Sequence, residues 1–143
     1  MISKMKIVVG IAGLLVLFSL GAGAQTVSIP GGTILSSGGS VCLAPQSLQN
    51  FSGLNVVGSA TDKLGNAVTV KWTVWAGPTQ FPSPIASTFG NRLFKTDAAT
   101  VFQTVPRDPS TTFQDNLANP WTQACIVNTT TDIIAFFLQQ TPQ

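Results

Sequence analysis

The stretch GNAVTVKWTVWAGP, residues 65–78, alternates strictly between residues 67 and 75. Side chains two apart on a strand share a face. Val68, Val70, Trp72 and Val74 therefore lie on one side, and Thr69, Lys71, Thr73 and Trp75 on the other. The first set is a core face. The second is polar except for Trp75, whose position sets the functional question for the whole chain. Just upstream, residues 54–61 form a second strand-like run. The two runs flank Asp62-Lys63-Leu64-Gly65-Asn66, turn-forming residues in which Gly65 is free to take positive φ, and this predicts a β-hairpin.

Working outward, the same logic finds more short strands. TVSIP and SVCLAP alternate on either side of GGTILSSGG, whose Gly pairs read as turns. Residues 93–95 and TVFQTV (residues 100–105) are further short strands. TQACIVNT and DIIAFFLQQ form a second hairpin joined at residues 129–131. In that last strand Ile133, Ala135 and Phe137 face one way and Ile134, Phe136 and Leu138 the other. A strand apolar on both faces is buried on both, or has its second face covered by another chain. Residues 76–120 hold Pro78, Pro82, Pro84, Pro106, Pro109 and Pro120, six of the chain's nine prolines. Proline lacks the ladder N–H, so AGPTQFPSPIAS is a connection and not a central strand. PRDPSTTFQDNLANP is a second loop, with one helical turn expected near residues 113–117. No amphipathic helix is visible beyond residue 24.

The N-terminus has the form of a Sec signal peptide. Lys4 and Lys6 precede an apolar run over residues 7–20, and Gly21-Ala22-Gly23-Ala24 supplies small residues for cleavage before Gln25. The run is shorter than the roughly 20 apolar residues of a membrane span. Two segments are therefore expected, a signal peptide over 1–24 and one domain over 25–143. Contact with membrane is then expected only during export, and the protein is expected in the periplasm, at the cell surface or outside the cell.

Lys4 and Lys6 account for the whole formal net charge of +2. Beyond them Lys63, Lys71, Lys95, Arg92 and Arg107 balance Asp62, Asp97, Asp108, Asp115 and Asp132. A neutral chain with so few charges lacks the basic footprint of a nucleic-acid binder. Weak charge repulsion also favours self-association. Two cysteines in an exported chain, Cys42 and Cys125, are expected to pair as one disulfide. The chain-entropy model assigns a loop of that length about 4–5 kcal/mol, of which less is usually realised.

Short strands, turn-rich connections and one long-range disulfide together predict an all-β, antiparallel β-sandwich. ATDKLGNAVTVKW, residues 60–72, resembles the hairpin of bacterial immunoglobulin-like surface domains, which implies a Greek-key sandwich of that kind. Cys42 stands much farther upstream of Trp72 than the first cysteine of an antibody domain stands from its tryptophan.

Catalytic equipment is missing from the sequence. There is no His and no Glu, and all five Asp sit in or beside predicted loops or turns, where the residue serves local backbone hydrogen bonds. Asp97, Asp108 and Asp115 are the only carboxylates that could converge. No metal site or cofactor is expected, because Cys42 and Cys125 lack ligand spacing and Asp62 with Asn66 makes a poor calcium site. The chain is expected to bind and not to catalyse.

Two binding modes follow. In the first, a surface or filament subunit associates through its terminal strands, with Val27 and Ile29 or Ile134, Phe136 and Leu138 adding to a neighbour's sheet. In the second, a monomeric module or inhibitor recognises a glycan or protein through Trp75, Trp121 and Phe81. Trp75 itself has two readings, a ring covered by residues 77–87 through Phe81 and Ile85, or an exposed contact. Asn50-Phe51-Ser52 and Asn128-Thr129-Thr130 match the N-glycosylation sequon.

Overall fold

Strand β5 (Val70–Gly77) carries the alternation of the opening stretch into the centre of the molecule. Val70, Trp72, Val74 and Ala76 are buried in the core, so the predicted core face is correct, although regular pairing begins at Val70 and not at Ala67. The computed structural model describes residues 25–78, 91–107 and 120–143. The expected signal peptide, the proline-rich connection with Phe81 and Ile85, and the loop with Asp108, Asp115 and the expected helical turn lie outside the described residues.

Among the described residues, nine strands form two antiparallel sheets packed face to face, an all-β sandwich. The first sheet runs β1 (Val27–Leu35), β9 (Ile134–Pro142), β4 (Gly53–Thr61), β7 (Thr100–Pro106). The second runs β2 (Ser40–Cys42), β8 (Trp121–Val127), β5, β6 (Asn91–Ala98), with the short β3 (Gln46–Ser47) also on β8. Among the described strands, β5 and β6 alone are both consecutive in the chain and neighbours in a sheet. The two expected hairpins are corners instead. β4 lies in the first sheet and β5 in the second, linked by a single bridge between Thr61 and Ala67. The expected pair at the C-terminus, β8 and β9, divides in the same way. Turn residues mark where a strand ends, and the partner it then finds is set by which buried faces must meet.

The Gly pairs also divide. Gly38 takes positive φ in the turn after β1, as read. Pro30-Gly31-Gly32 does not end a strand. It is a bulge inside β1, where the register against β9 shifts between Ile29 and Thr33 and Gly32 adopts φ 85°.

Trp72 is the largest fully buried side chain and spans the two sheets. Its indole N–H donates to the carbonyl of Ala98 at 2.9 Å. Its ring lies on Gly58 of β4 so closely that a Cβ there would come within 2.7 Å of Cζ3 and 2.9 Å of Cη2. Glycine in a strand often marks such an approach. Leu54, Val56 and Ala60 continue that face of β4, against Ile134, Phe136 and Leu138 of β9 and Ala124 and Ile126 of β8.

One polar side chain completes the core. Gln140 of β9 is fully buried and reaches across to the break between β2 and β3, where Ala44 and Pro45 interrupt the edge. Its Oε1 accepts from the Ala124 N–H at 2.8 Å, and its Nε2 donates to Ala44 O and Gln46 Oε1, both at 2.9 Å. The gap in the ladder is thus closed by a side chain of the opposite sheet. Every polar atom of that amide is used, as a buried polar group requires.

Cys42 and Cys125 form the expected disulfide, bridging a sequence separation of 83. The two residues face each other across β2 and β8, so the bond staples an edge strand within one sheet and does not join the two sheets. In antibody domains the buried tryptophan packs on an inter-sheet disulfide; here Gly58 takes that place.

Substituting Gly58→Ala forces the Trp72 ring or the β4 backbone to move, an overpacking cost of about 1–3 kcal/mol. Denaturant unfolding is expected to show that loss together with a changed near-ultraviolet tryptophan signal. An unchanged midpoint would mean that the ring does not bear on β4.

Candidate functional surfaces

Among the described residues, four sheet edges and two outer faces remain once the core is accounted for. The outer face of the second sheet carries the aromatic candidates. Trp75 and Trp121 both lie there, half-buried, with Trp75 opposite Gln123 and Trp121 opposite Gly77. Gly77 has no side chain and is itself buried. The Trp75 indole N–H donates to Thr73 Oγ1 at 3.0 Å, and the Arg92 guanidinium stands 6.0 Å from the ring centroid, at the outer limit of a cation–π contact. Gln123 between them is buried with neither amide atom hydrogen-bonded. The tryptophan on the polar face is therefore locally anchored by Thr73 and Arg92. Phe81, its expected cover, lies outside the described residues.

Both terminal strands are paired within the chain. β9 is interior, hydrogen-bonded to β1 on one side and β4 on the other, and Ile134, Phe136 and Leu138 point into the core. Both of its edges are used, so it has none to offer a second chain. Val27 and Ile29 of β1 pair with Gln140 and Leu138 of the same chain, so one edge of this strand is already engaged. The double-sided apolar pattern of β9 has a simpler cause. Phe137 and Ala135 are half-buried on the outer face, and only Ile133, just before the strand, is strongly exposed.

The first sheet's outer face holds what the sequence reading missed. Phe102 of β7 is 82% exposed, with Val57 of β4 directly opposite it. Val101 and Val105 of the same strand are buried, so Phe102 shares its outward face with Thr100 and Thr104. The signal was present in TVFQTV, an aromatic out of phase with the valines. It is the same signal that singled out Trp75. Ile34, 64% exposed, lies across this face on β1 beside Ala135. None of the strand residues on this face is charged: Ser28 and Ile34 of β1, the odd-numbered positions of β9 and β4, and Thr100, Phe102 and Thr104 of β7.

The remaining sequence candidates resolve locally. Asp62 Oδ1 accepts from the backbone N–H groups of Asn66 and Leu64, each at 2.9 Å, and its carbonyl accepts from Gly65 N–H at 3.0 Å. Gly65 takes φ 85°, as its turn position requires. The Asn66 N–H, followed by those of the neighbouring turn residues, holds the Asp62 carboxyl below the ordinary aspartate range. Asp97 stands opposite Lys71 on the β5–β6 ladder, while Asp108 and Asp115 lie outside the described residues. Among the described residues, no three Cys or Asp side chains gather where they could hold a metal ion. Asn128, first residue of one sequon, is buried, and its Nδ2 donates to Leu35 O at 3.1 Å and Asp132 O at 2.8 Å. Asn50 of the other sequon sits in an exposed turn.

Comparison with known proteins finds no family model that matches the chain and no matching curated protein. Among solved structures, the chain is similar to the K3 adhesin domain of Lys-gingipain from Porphyromonas gingivalis, with TM-score 0.41 and 15% identity over 71% of this chain. The chain spans 60% of the length of that domain. It is also similar to a CBM4 structure, with TM-score 0.33 and 15% identity over 81% of this chain and 79% of the other.

The lowered carboxyl at Asp62 has a defined pH signature. Its contribution is full at neutral pH, because the ionised form is the one the turn binds. It is lost as pH falls from the ordinary aspartate range through the lowered folded value. Asp62→Ala is therefore expected to be less stable than the wild type at neutral pH, with the difference shrinking on acidification. A gap that is constant with pH in parallel urea titrations would show that the charge is not what the turn uses.

Proposed function

We propose that this chain is an exported, non-catalytic structural or adhesin-like protein of the cell surface, acting through strand pairing at a sheet edge. The observation that carries this reading is the state of β7, an uncharged and regularly paired edge strand with an exposed aromatic. Natural sheets usually blunt such edges because an unpaired row of N–H and C=O groups templates another chain. The bridged cysteines support export, since disulfides persist in oxidising compartments. The mode differs from insertion of a terminal strand, because β1 and β9 are engaged within the chain.

A second reading rests on the other sheet. Trp75 and Trp121 share one face, with Arg92 beside the first ring, and this arrangement suits a monomeric module that recognises a glycan or protein. Aromatic rings on one face bind by stacking and need no catalytic group.

The two readings part in the producing cells. Fractionation with immunogold electron microscopy is expected to place the protein at the surface, with both sulfurs resistant to alkylation until reduced. Cytoplasmic material with free thiols would overturn the proposal. Loss of sugar or protein binding in a folded Trp75→Ala variant, with surface assembly unaltered, would transfer the function to the second reading.

A further inference from the structure

Three of the four sheet edges carry a device that discourages pairing. β1 contains Pro30 and the bulge at residues 29–33. β6 presents Arg92, Lys95 and Asp97. The β2–β3 edge is short and broken at Pro45. β7 has none of these along its length. It pairs with β4 in unbroken register from Ser59↔Thr100 to Gly53↔Pro106 and holds no charge. Proline comes only at its last residue.

The direction of its free groups follows from the bonds already made. Ala60 N–H donates to Ala99 O, and Arg107 N–H donates to Ser52 O, so the odd-numbered residues of this segment bond toward β4. Alternation then turns the N–H and C=O of Thr100, Phe102 and Thr104 to the open edge. Among the described residues, the one group that reaches them is Gln103 Nε2, which donates to Thr104 O at a long 3.3 Å.

We infer that β7 pairs antiparallel with β7 of a second copy of this chain, about a two-fold axis through Phe102. This rests on the edge-association reading above and names its partner. The strand is self-complementary about that residue. Thr100 and Thr104 stand two positions to either side, so Phe102 faces Phe102, and Thr100 faces Thr104 at both ends of the contact. Cross-strand aromatic pairs and Thr–Thr pairs are both favourable in antiparallel sheets. With no charge on β7, a symmetric contact brings no like charges together. The 82% exposed Phe102 ring is covered, and the two four-stranded sheets become one continuous sheet. An isologous contact of this kind closes on itself as a dimer.

The test uses oxidised protein beginning at Gln25, studied by sedimentation equilibrium up to about 1 mM, where even a weak contact populates the dimer. The wild type is expected to dimerise, and the Phe102 and Thr104 amides to gain protection from hydrogen exchange as concentration rises. Thr104→Pro removes an N–H that points away from β4, so the β4–β7 ladder is kept while the dimer is expected to weaken at least tenfold. Phe102→Lys and Phe102→Glu are each expected to be monomeric, and an equimolar mixture of the two to associate again. Unaltered thermal unfolding of the monomeric variants keeps misfolding from imitating the result. A wild type that stays monomeric at the highest concentration overturns the inference. So does a dimer indifferent to all three substitutions, or a charge-swapped mixture that remains monomeric. Surface location is read separately, by fractionation, so a monomer found at the cell surface defeats this pairing and leaves the broader proposal standing.

Discussion

The contact between the Trp72 ring and the bare backbone of Gly58 sets the spacing of the whole sandwich. Trp72 is the bulkiest group in the core, and it fits because the opposite strand has no side chain where the ring lies. The indole N–H is bonded to the Ala98 carbonyl, so the ring is fixed in orientation as well as in depth. Close-packed interiors transmit such a constraint. β4 and β5 must lie at the distance this pair allows, and every other strand is attached to one of these two directly or through β8 and β9.

Around that contact the chain repeatedly crosses from one sheet to the other. The first and last of the described strands, β1 and β9, pair with each other, and β5 pairs with β8 across a long sequence interval. Such a topology depends on non-local contacts and leaves weak points where edge strands are short. Two of them are repaired by different means. The disulfide holds β2 to β8, and the Gln140 amide fills the gap between β2 and β3 from the opposite sheet. Covalent and polar links are thus spent at the margin of the second sheet, where the apolar core has least to offer.

The outer surfaces are unequal in consequence. The second sheet presents charged β6, Trp121 and the anchored Trp75, while the first presents an uncharged face and one unguarded edge. A strand that is buried on one side and polar on the other is ordinary. An edge strand that also carries an exposed phenylalanine and lacks a bulge, charge or internal proline is not, and β7 is such a strand.

Much of this was legible in the amino acids alone. Alternation at residues 67–75 identified a strand and its core face, because a period of two admits only one assignment of side chains to faces. The even pair of cysteines announced a disulfide, and the lack of His and Glu left few means of acid–base chemistry. Partnership between strands was not legible. Asp62 to Asn66 makes the same local turn whether the flanking strands pair with each other or part into different sheets, so a corner passed for a hairpin. The apolar run of β9 read as a strand buried on both faces or covered by another chain, and its two edges are taken by β1 and β4 of the same chain, far away in sequence. Local chemistry determines where strands begin, end and face. Which strand becomes an edge is decided only when all the buried faces are satisfied together.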